Sequence, residues 1–137
     1  MPKPTDVGKT CLRPRDGRPG TIDLNHLHLH VRDIPRARRF YETCFGFRQE
    51  TVREGGFLIV RNEDGFDLAL MEDARPTPLP TWFHFGFRLP SREAVRAMQD
   101  RMTVEGVAIT RPVEDHGTWM SFRCADPDGY PIEVYYE

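Results

Sequence analysis

Apolar and polar positions along this chain follow one pattern twice. Leu27, Leu29 and Val31 alternate with His26, His28 and His30, so a strand over about Ile22–Val31 sets apolar side chains on one face and three imidazoles on the other. The period then becomes helical. Ala37, Phe40, Tyr41 and Cys44 form one stripe, Asp33 stands where an N-cap belongs, Pro35 fits the first turn, and Gly46 offers a stop. Three strands follow, near Phe47–Val52, Phe57–Arg61 and Phe66–Met71, separated by Gly55-Gly56 and Asp64-Gly65 turns.

After a stretch containing Pro76, Pro78 and Pro80 the order returns. A strand over Thr81–Arg88 carries His84. Ser91 caps a helix whose inner stripe is Ala94, Val95, Met98 and Met102, and Gly106 lies just past its end. Strands near Val107–Arg111, Thr118–Cys124 and Ile132–Tyr136 complete this half. In each half the capping residue follows the histidine by seven positions, Asp33 after His26 and Ser91 after His84. In each, an Asp-Gly turn precedes a last strand that bears one carboxylate among apolar neighbours: Asp67 in the first, Glu133 in the second. Such self-similarity marks a duplicated fold. The expected class is α+β, with two paired βαβββ modules (residues 21–75 and 81–137) forming a cupped mixed sheet. Residues 72–80 read as a linker, because their prolines exclude a helix and a central strand. Residues 1–20, rich in proline, glycine and basic side chains, read as a flexible tail.

Composition narrows the function classes. A chain of 137 residues, 39% hydrophobic and 29% charged, suits one globular domain with a real core. Net charge is −2, from 19 basic and 21 acidic residues, which gives no electrostatic case for nucleic acid or an anionic membrane surface. The absence of a long apolar run or an apolar signal core reads as cytoplasmic. Cys11, Cys44 and Cys124 form no CxxC pair and suggest no disulfide framework; Cys44, on a helix's inner face, reads as a buried thiol.

Strand parity assigns the ionisable groups to one face: His26, His28 and His30 from the first strand, Asp67 from the fourth, His84 and Arg88 from the fifth, and Glu133 and Tyr135 from the last. Burying so many charges without a purpose is costly. Two neutral imidazoles and a carboxylate that converge are a standard site for a divalent metal, and three protein ligands leave positions open for water or substrate. His26 and His84 stand out because they occupy equivalent places in the repeat. His28 and His30 keep the ordinary reading of hydrogen-bonded or solvated histidines. His116 lies in the polar loop Glu114-Asp115-His116-Gly117 and reads as exposed, with an acid/base role as the minor alternative. Arg36, Arg38 and Arg39 read as the wet face of a helix. Trp82, Trp119 and Tyr130 suit either a pocket lining or the core.

Three stretches carry a resemblance: LNHLHLHVRDIPRARRFYETCFGF, FHFGFRLPSREAVRAMQDRM and FRCADPDGYPIEVYY. Together they resemble the vicinal oxygen chelate superfamily, which comprises glyoxalase I, extradiol dioxygenases, fosfomycin-resistance thiol transferases and bleomycin-resistance proteins. The resemblance covers residues 21–137. It implies that His26, His84 and Glu133 are metal ligands and that Phe40-Tyr41 is a packing element. It places Asp67 where glyoxalase I has a further glutamate, a departure that favours a three-ligand centre. His28 falls where some relatives contact substrate.

The expected function is therefore that of a metal-dependent enzyme, a glyoxalase-like lyase or isomerase or a dioxygenase. It would act on a small molecule chelated through oxygen atoms, with iron, nickel, zinc or manganese as the metal. Glu133, His28 and His116 are the candidate catalytic groups, and His28, Arg88, Trp119 and Tyr135 the candidate substrate contacts. A homodimer is what the resemblance implies. The alternative is a non-catalytic protein that sequesters a drug or metabolite, as bleomycin-resistance proteins do.

Overall fold

Both helices begin on the residues expected to cap them. The Asp33 carboxylate accepts the Arg36 amide at 3.0 Å, and α1 runs Ile34–Phe45. The Ser91 hydroxyl accepts the Ala94 amide at 3.0 Å, and α2 runs Arg92–Val104. Each cap satisfies a backbone donor that the first helical turn cannot. Gly46 ends α1 in the left-handed region at φ 73°, which costs a glycine nothing. The structure is a computed structural model that describes residues 22–137. The expected tail over residues 1–20, with Cys11, lies outside the described residues.

The strands of the first module are β1 (His26–Val31), β2 (Gln49–Glu54), β3 (Phe57–Arg61) and β4 (Asp67–Glu72). They form a four-stranded mixed sheet in the order β1-β4-β3-β2, with β1 parallel to β4 and the other pairs antiparallel. The second module repeats this with β5 (Phe85–Arg88), β6 (Ile109–Asp115), β7 (Met120–Ala125) and β8 (Pro131–Tyr136). Its order is β5-β8-β7-β6, again with one parallel pair, β5 and β8. The chain divides into compact units at Ala74 and Arg75, inside the expected linker. Residues 73–80 carry neither helix nor strand.

Alternation builds each core. In the first module Leu29, Val31, Leu58, Val60, Leu68 and Leu70 are buried on the face that also receives Ala37, Tyr41 and Cys44 of α1. In the second, Met120, Phe122, Cys124, Ile132 and Val134 are buried with Val95, Met98 and Met102 of α2. Removing each large apolar side chain from water contributes about 1.5–3 kcal/mol. The opposite face of each sheet carries the polar set, mixed in the first module with Phe57, Ile59, Ala69 and Met71.

Several strand ends differ from expectation, each for a local reason. β1 starts at His26 and not at Ile22, because its ladder partner β4 starts only at Asp67; the last rung is the Asp67 amide to the Asn25 carbonyl at 2.8 Å. β2 starts at Gln49 because Phe47 belongs to the helix end: its amide bonds the Tyr41 carbonyl and its ring is buried. β5 starts at Phe85. A turn bonded from the Phe83 amide to the Pro80 carbonyl, 2.9 Å, occupies the preceding residues, so His84 stands just before the strand and not within it. β6 runs on to Asp115 through Pro112, which an edge strand with register shifts accommodates.

Candidate functional site

Register and parity set the polar face of the second sheet. In β5 and β8, Gly86 lies opposite Glu133 and Arg88 opposite Tyr135. In β7 and β8, Arg123 lies opposite Glu133 and Ser121 opposite Tyr135. His84 completes the group from the end of the turn before β5. Its Nε2 lies 3.3 Å from Glu133 Oε2, and both side chains are partly exposed.

The imidazole's other nitrogen explains why this contact matters. His84 Nδ1 lies 3.2 Å from the Trp82 carbonyl, an acceptor, so Nδ1 carries the proton and donates it there. In the neutral ring, Nε2 then presents a lone pair towards a carboxylate oxygen. Two acceptors at this distance need a donor or a cation beside them; Arg123 Nη2, 3.5 Å from the same Nε2, is one such donor, and a bound divalent cation would be another. A backbone carbonyl that fixes the histidine tautomer is also the usual outer support of a metal-ligating histidine. The donor set thus fits a divalent metal. Gly86 is set by the closeness of the neighbouring strand: a Cβ there would come within 3.1 Å of the Glu133 carbonyl oxygen and 3.6 Å of its Cβ, so a larger residue would push on the strand that carries Glu133.

The first module presents the same frame with a different outcome. His26 Nδ1 meets Asn25 Oδ1 at 2.8 Å, which again leaves Nε2 as the lone-pair nitrogen. His26 and Asp67 are register partners in β1 and β4. Asp67, however, gives both oxygens to Arg61, at 2.7 Å from Nε and 2.9 Å from Nη2. A carboxylate committed to a two-point guanidinium clamp has little capacity left for a metal. His28 is exposed, with its ring 5.2 Å from that of His30 and stacked 6.1 Å from Phe57. His30 bonds Asp73 at 2.9 Å. Among the described residues, no group of three or more His, Cys, Asp and Glu side chains is gathered for a metal ion. What the second module brings together is the pair His84–Glu133.

The remaining candidates divide. Arg88 and Tyr135 share the polar face with Glu133, and the Arg88 guanidinium donates to the Glu137 carbonyl at 2.7 Å. His116 does not join that group. It sits at the β6–β7 hairpin tip, stacked on Trp119 at 4.0 Å and paired with Glu114 at 3.2 Å. The strand begins at Met120, three residues or about 10 Å from the Arg123 level. Trp119 is thus a hairpin-tip residue, and Tyr130 is core. Trp82 is 73% exposed and acts at the site through its backbone carbonyl. Sequence reading missed Arg61 and Arg123, although each stands one turn before its module's carboxylate strand. It also missed Asn25 and the Trp82 carbonyl, whose roles depend on local backbone geometry.

Comparison with known proteins then decides the family. The family model described as Glyoxalase/Bleomycin resistance protein/Dioxygenase superfamily matches residues 23–134. The chain belongs to this superfamily. The expected resemblance is thereby borne out, and the α+β architecture agrees with the superfamily's solved structures. An uncharacterised protein of Pseudomonas aeruginosa is 34% identical over 123 residues, 82% of this chain and 87% of that protein. Catechol-2,3-dioxygenase of Bacillus subtilis is 25% identical over 120 residues, 82% of this chain but 40% of that enzyme. The structure of a possible glyoxalase from Bacillus cereus is 33% identical with a TM-score of 0.71, covering 83% of this chain and 98% of that one. The fosfomycin resistance protein FosX of Listeria monocytogenes has a TM-score of 0.72 at 22% identity, over 85% of this chain and 93% of its own; that likeness is one of fold. Superfamily membership therefore spans several chemistries, and the choice among them falls to the site. No helix among the described residues is long and apolar enough to cross a membrane.

Proposed function

We propose that this chain is a metal-dependent enzyme of the superfamily that acts on a small molecule bound through oxygen atoms, with His84 and Glu133 as protein ligands of the metal and His26 as the further ligand that the family resemblance implies. The observation that carries the reading is the pair His84 Nε2 and Glu133 Oε2 at 3.3 Å, a ring nitrogen beside a carboxylate oxygen with Nδ1 turned to the Trp82 carbonyl. His26 enters as the repeat mate of His84, oriented in the same way by Asn25. Asp67 is left out of the set because Arg61 holds both its oxygens.

When bound, the metal would supply Lewis-acid stabilisation of negative charge on a substrate oxygen, worth several kcal/mol. The protein's own work is otherwise positional. The Trp82 and Asn25 acceptors fix the two imidazole tautomers and aim the Nε2 lone pairs. Glu133 is the carboxylate at hand to hold or move a proton, as a lyase or isomerase requires. Tyr135 and Arg88, on the same face, are the candidate substrate contacts. His28, exposed on the polar face of β1, is a further candidate acid or base. His116 and Trp119 make their contacts with each other at the hairpin tip and have no part in this reading.

The test is metal content after purification without chelator. Near-stoichiometric divalent metal is expected in the parent chain, and a large loss in His84→Ala, Glu133→Gln and His26→Ala. A chain that retains no metal, and whose His84→Ala and His26→Ala forms bind a small-molecule ligand normally, would instead be a sequestering protein. Stoichiometric iron points to oxygenase chemistry; zinc, nickel or manganese points to the lyase or isomerase branch.

A further inference from the structure

The two modules place an arginine directly opposite their last-strand carboxylate: Arg61 opposite Asp67, and Arg123 opposite Glu133. In the first module the pair closes on itself. In the second, Glu133 turns to His84, and Arg123 Nη2 lies 3.5 Å from the same His84 Nε2. A second arginine stands beside it, since Arg111 is the register partner of Arg123 across β6 and β7. Like charges directly opposite on one sheet face repel. The polar face at this level therefore holds Arg111 and Arg123 against one carboxylate, Glu133, whose charge is turned to the histidine. A cation shared by His84 and Glu133 would make the excess larger.

We propose that Arg123, supported by Arg111, anchors an anionic group of the molecule that occupies this site, so that the substrate is a small oxyanion-bearing compound and not a neutral one. The inference rests on reading His84–Glu133 as a cation site and adds the substrate's charge to it. A guanidinium matches a carboxylate or phosphate through two parallel hydrogen bonds, the same match that Arg61 makes with Asp67 in the first module. Arg88, whose guanidinium is held by the Glu137 carbonyl, adds positive charge along the same face.

The experiment uses the full chain loaded with Mn2+ and two probes of equal size, L-lactate and L-lactamide, which differ in charge but both offer adjacent oxygens. Affinities are read from the relaxation of water protons by Mn2+. Lactate is expected to bind roughly tenfold tighter than lactamide, the equivalent of about one charge-assisted hydrogen bond. Arg123→Gln cuts the preference several-fold, to what Mn2+ alone gives, while Mn2+ still binds; Arg123→Lys restores part of it; Arg111→Gln weakens it. Equal binding of the two probes by the parent chain, or a preference undiminished in Arg123→Gln, overturns the proposal. Failure of Mn2+ to bind is a failure of the metal reading alone. The question then passes to the metal-free chain and inorganic phosphate, where binding lost in Arg123→Gln upholds the anchor and binding indifferent to it, or none, overturns it.

Discussion

The two modules share a plan and differ in where one carboxylate points. In the first, Asp67 is closed into a two-point ion pair with Arg61. In the second, Glu133 faces the histidine, and the equivalent arginine is drawn to that histidine instead. One methylene accounts for much of this. The aspartate stays above its own strand and meets the arginine opposite. The longer glutamate reaches along the face to an imidazole that a proline turn has placed just outside β5. Duplication thus yields one module whose carboxylate is clamped by an arginine and one whose carboxylate meets a histidine. The comparison teaches that a repeat's equivalent positions need not have equivalent chemistry.

The core is where the modules can be broken most severely and most unequally. Val60 and Phe122 occupy matching places, on β3 and β7, and both are fully buried. Phe122→Ala is expected to cost about 3–5 kcal/mol, whereas Val60→Ala removes less apolar volume and costs roughly 1–3 kcal/mol. Urea unfolding followed by circular dichroism gives both values; equal losses would show that the two cores are not packed as described.

Next in size is the proposed metal site. His84→Ala or Glu133→Gln should weaken divalent-metal affinity by more than ~100-fold, since loss of an outer support alone costs 10–100-fold. Asp67→Asn should leave that affinity unchanged. Its effect appears instead in stability, about 0.2–1 kcal/mol for a partly exposed ion pair. A result in which Asp67→Asn abolishes metal binding would reverse the assignment of the two carboxylates.

The helix caps should behave alike in the two halves. Asp33→Ala and Ser91→Ala each lose about 1 kcal/mol in the same unfolding assay, because each leaves an amide without its acceptor.

The smallest effect is one of pH. Glu50 on β2 is held down to about 2 by its hydrogen bonds to Arg53, outweighing desolvation, with Arg38 adding to the effect. The folded-state value lies below the ordinary 4.5, so the contribution is present above pH 4.5 and fades as pH falls from there towards 2. Glu50→Gln should flatten the acid limb of the stability profile. In the second module Asp115 is lowered by the Gly117 amide first and Arg92 next, which gives the same sign below pH 3.8. A profile that steepens in Glu50→Gln would contradict the assignment.

Much of this was legible in the sequence because alternation and capping are local. His26, His28 and His30 declared their face through Leu27, Leu29 and Val31, and Asp33 and Ser91 declared the helices. The order and number of strands followed from turn residues, and strand ends moved only where a turn or helix end claimed the flanking residues, as at Phe47 and Phe83. That His84 and Glu133 would meet on one face was legible through the repeat and strand parity. Less accessible was what each side chain would find across the sheet. That Arg61 would capture Asp67 depends on the register of β3 with β4, a pairing that no local pattern encodes. The place of His116 was similar: its loop composition said exposed, and the stack on Trp119 came from the hairpin's geometry.

The central claim is that Glu133, and not Asp67, serves a cation together with His84. Calorimetric titration of the metal-free chain with Mn2+ tests it most directly, on the parent protein, Glu133→Gln and Asp67→Asn in parallel. The account predicts one Mn2+ per chain for the parent and for Asp67→Asn, with binding lost in Glu133→Gln. Equal binding by all three, or loss in Asp67→Asn with retention in Glu133→Gln, would contradict it.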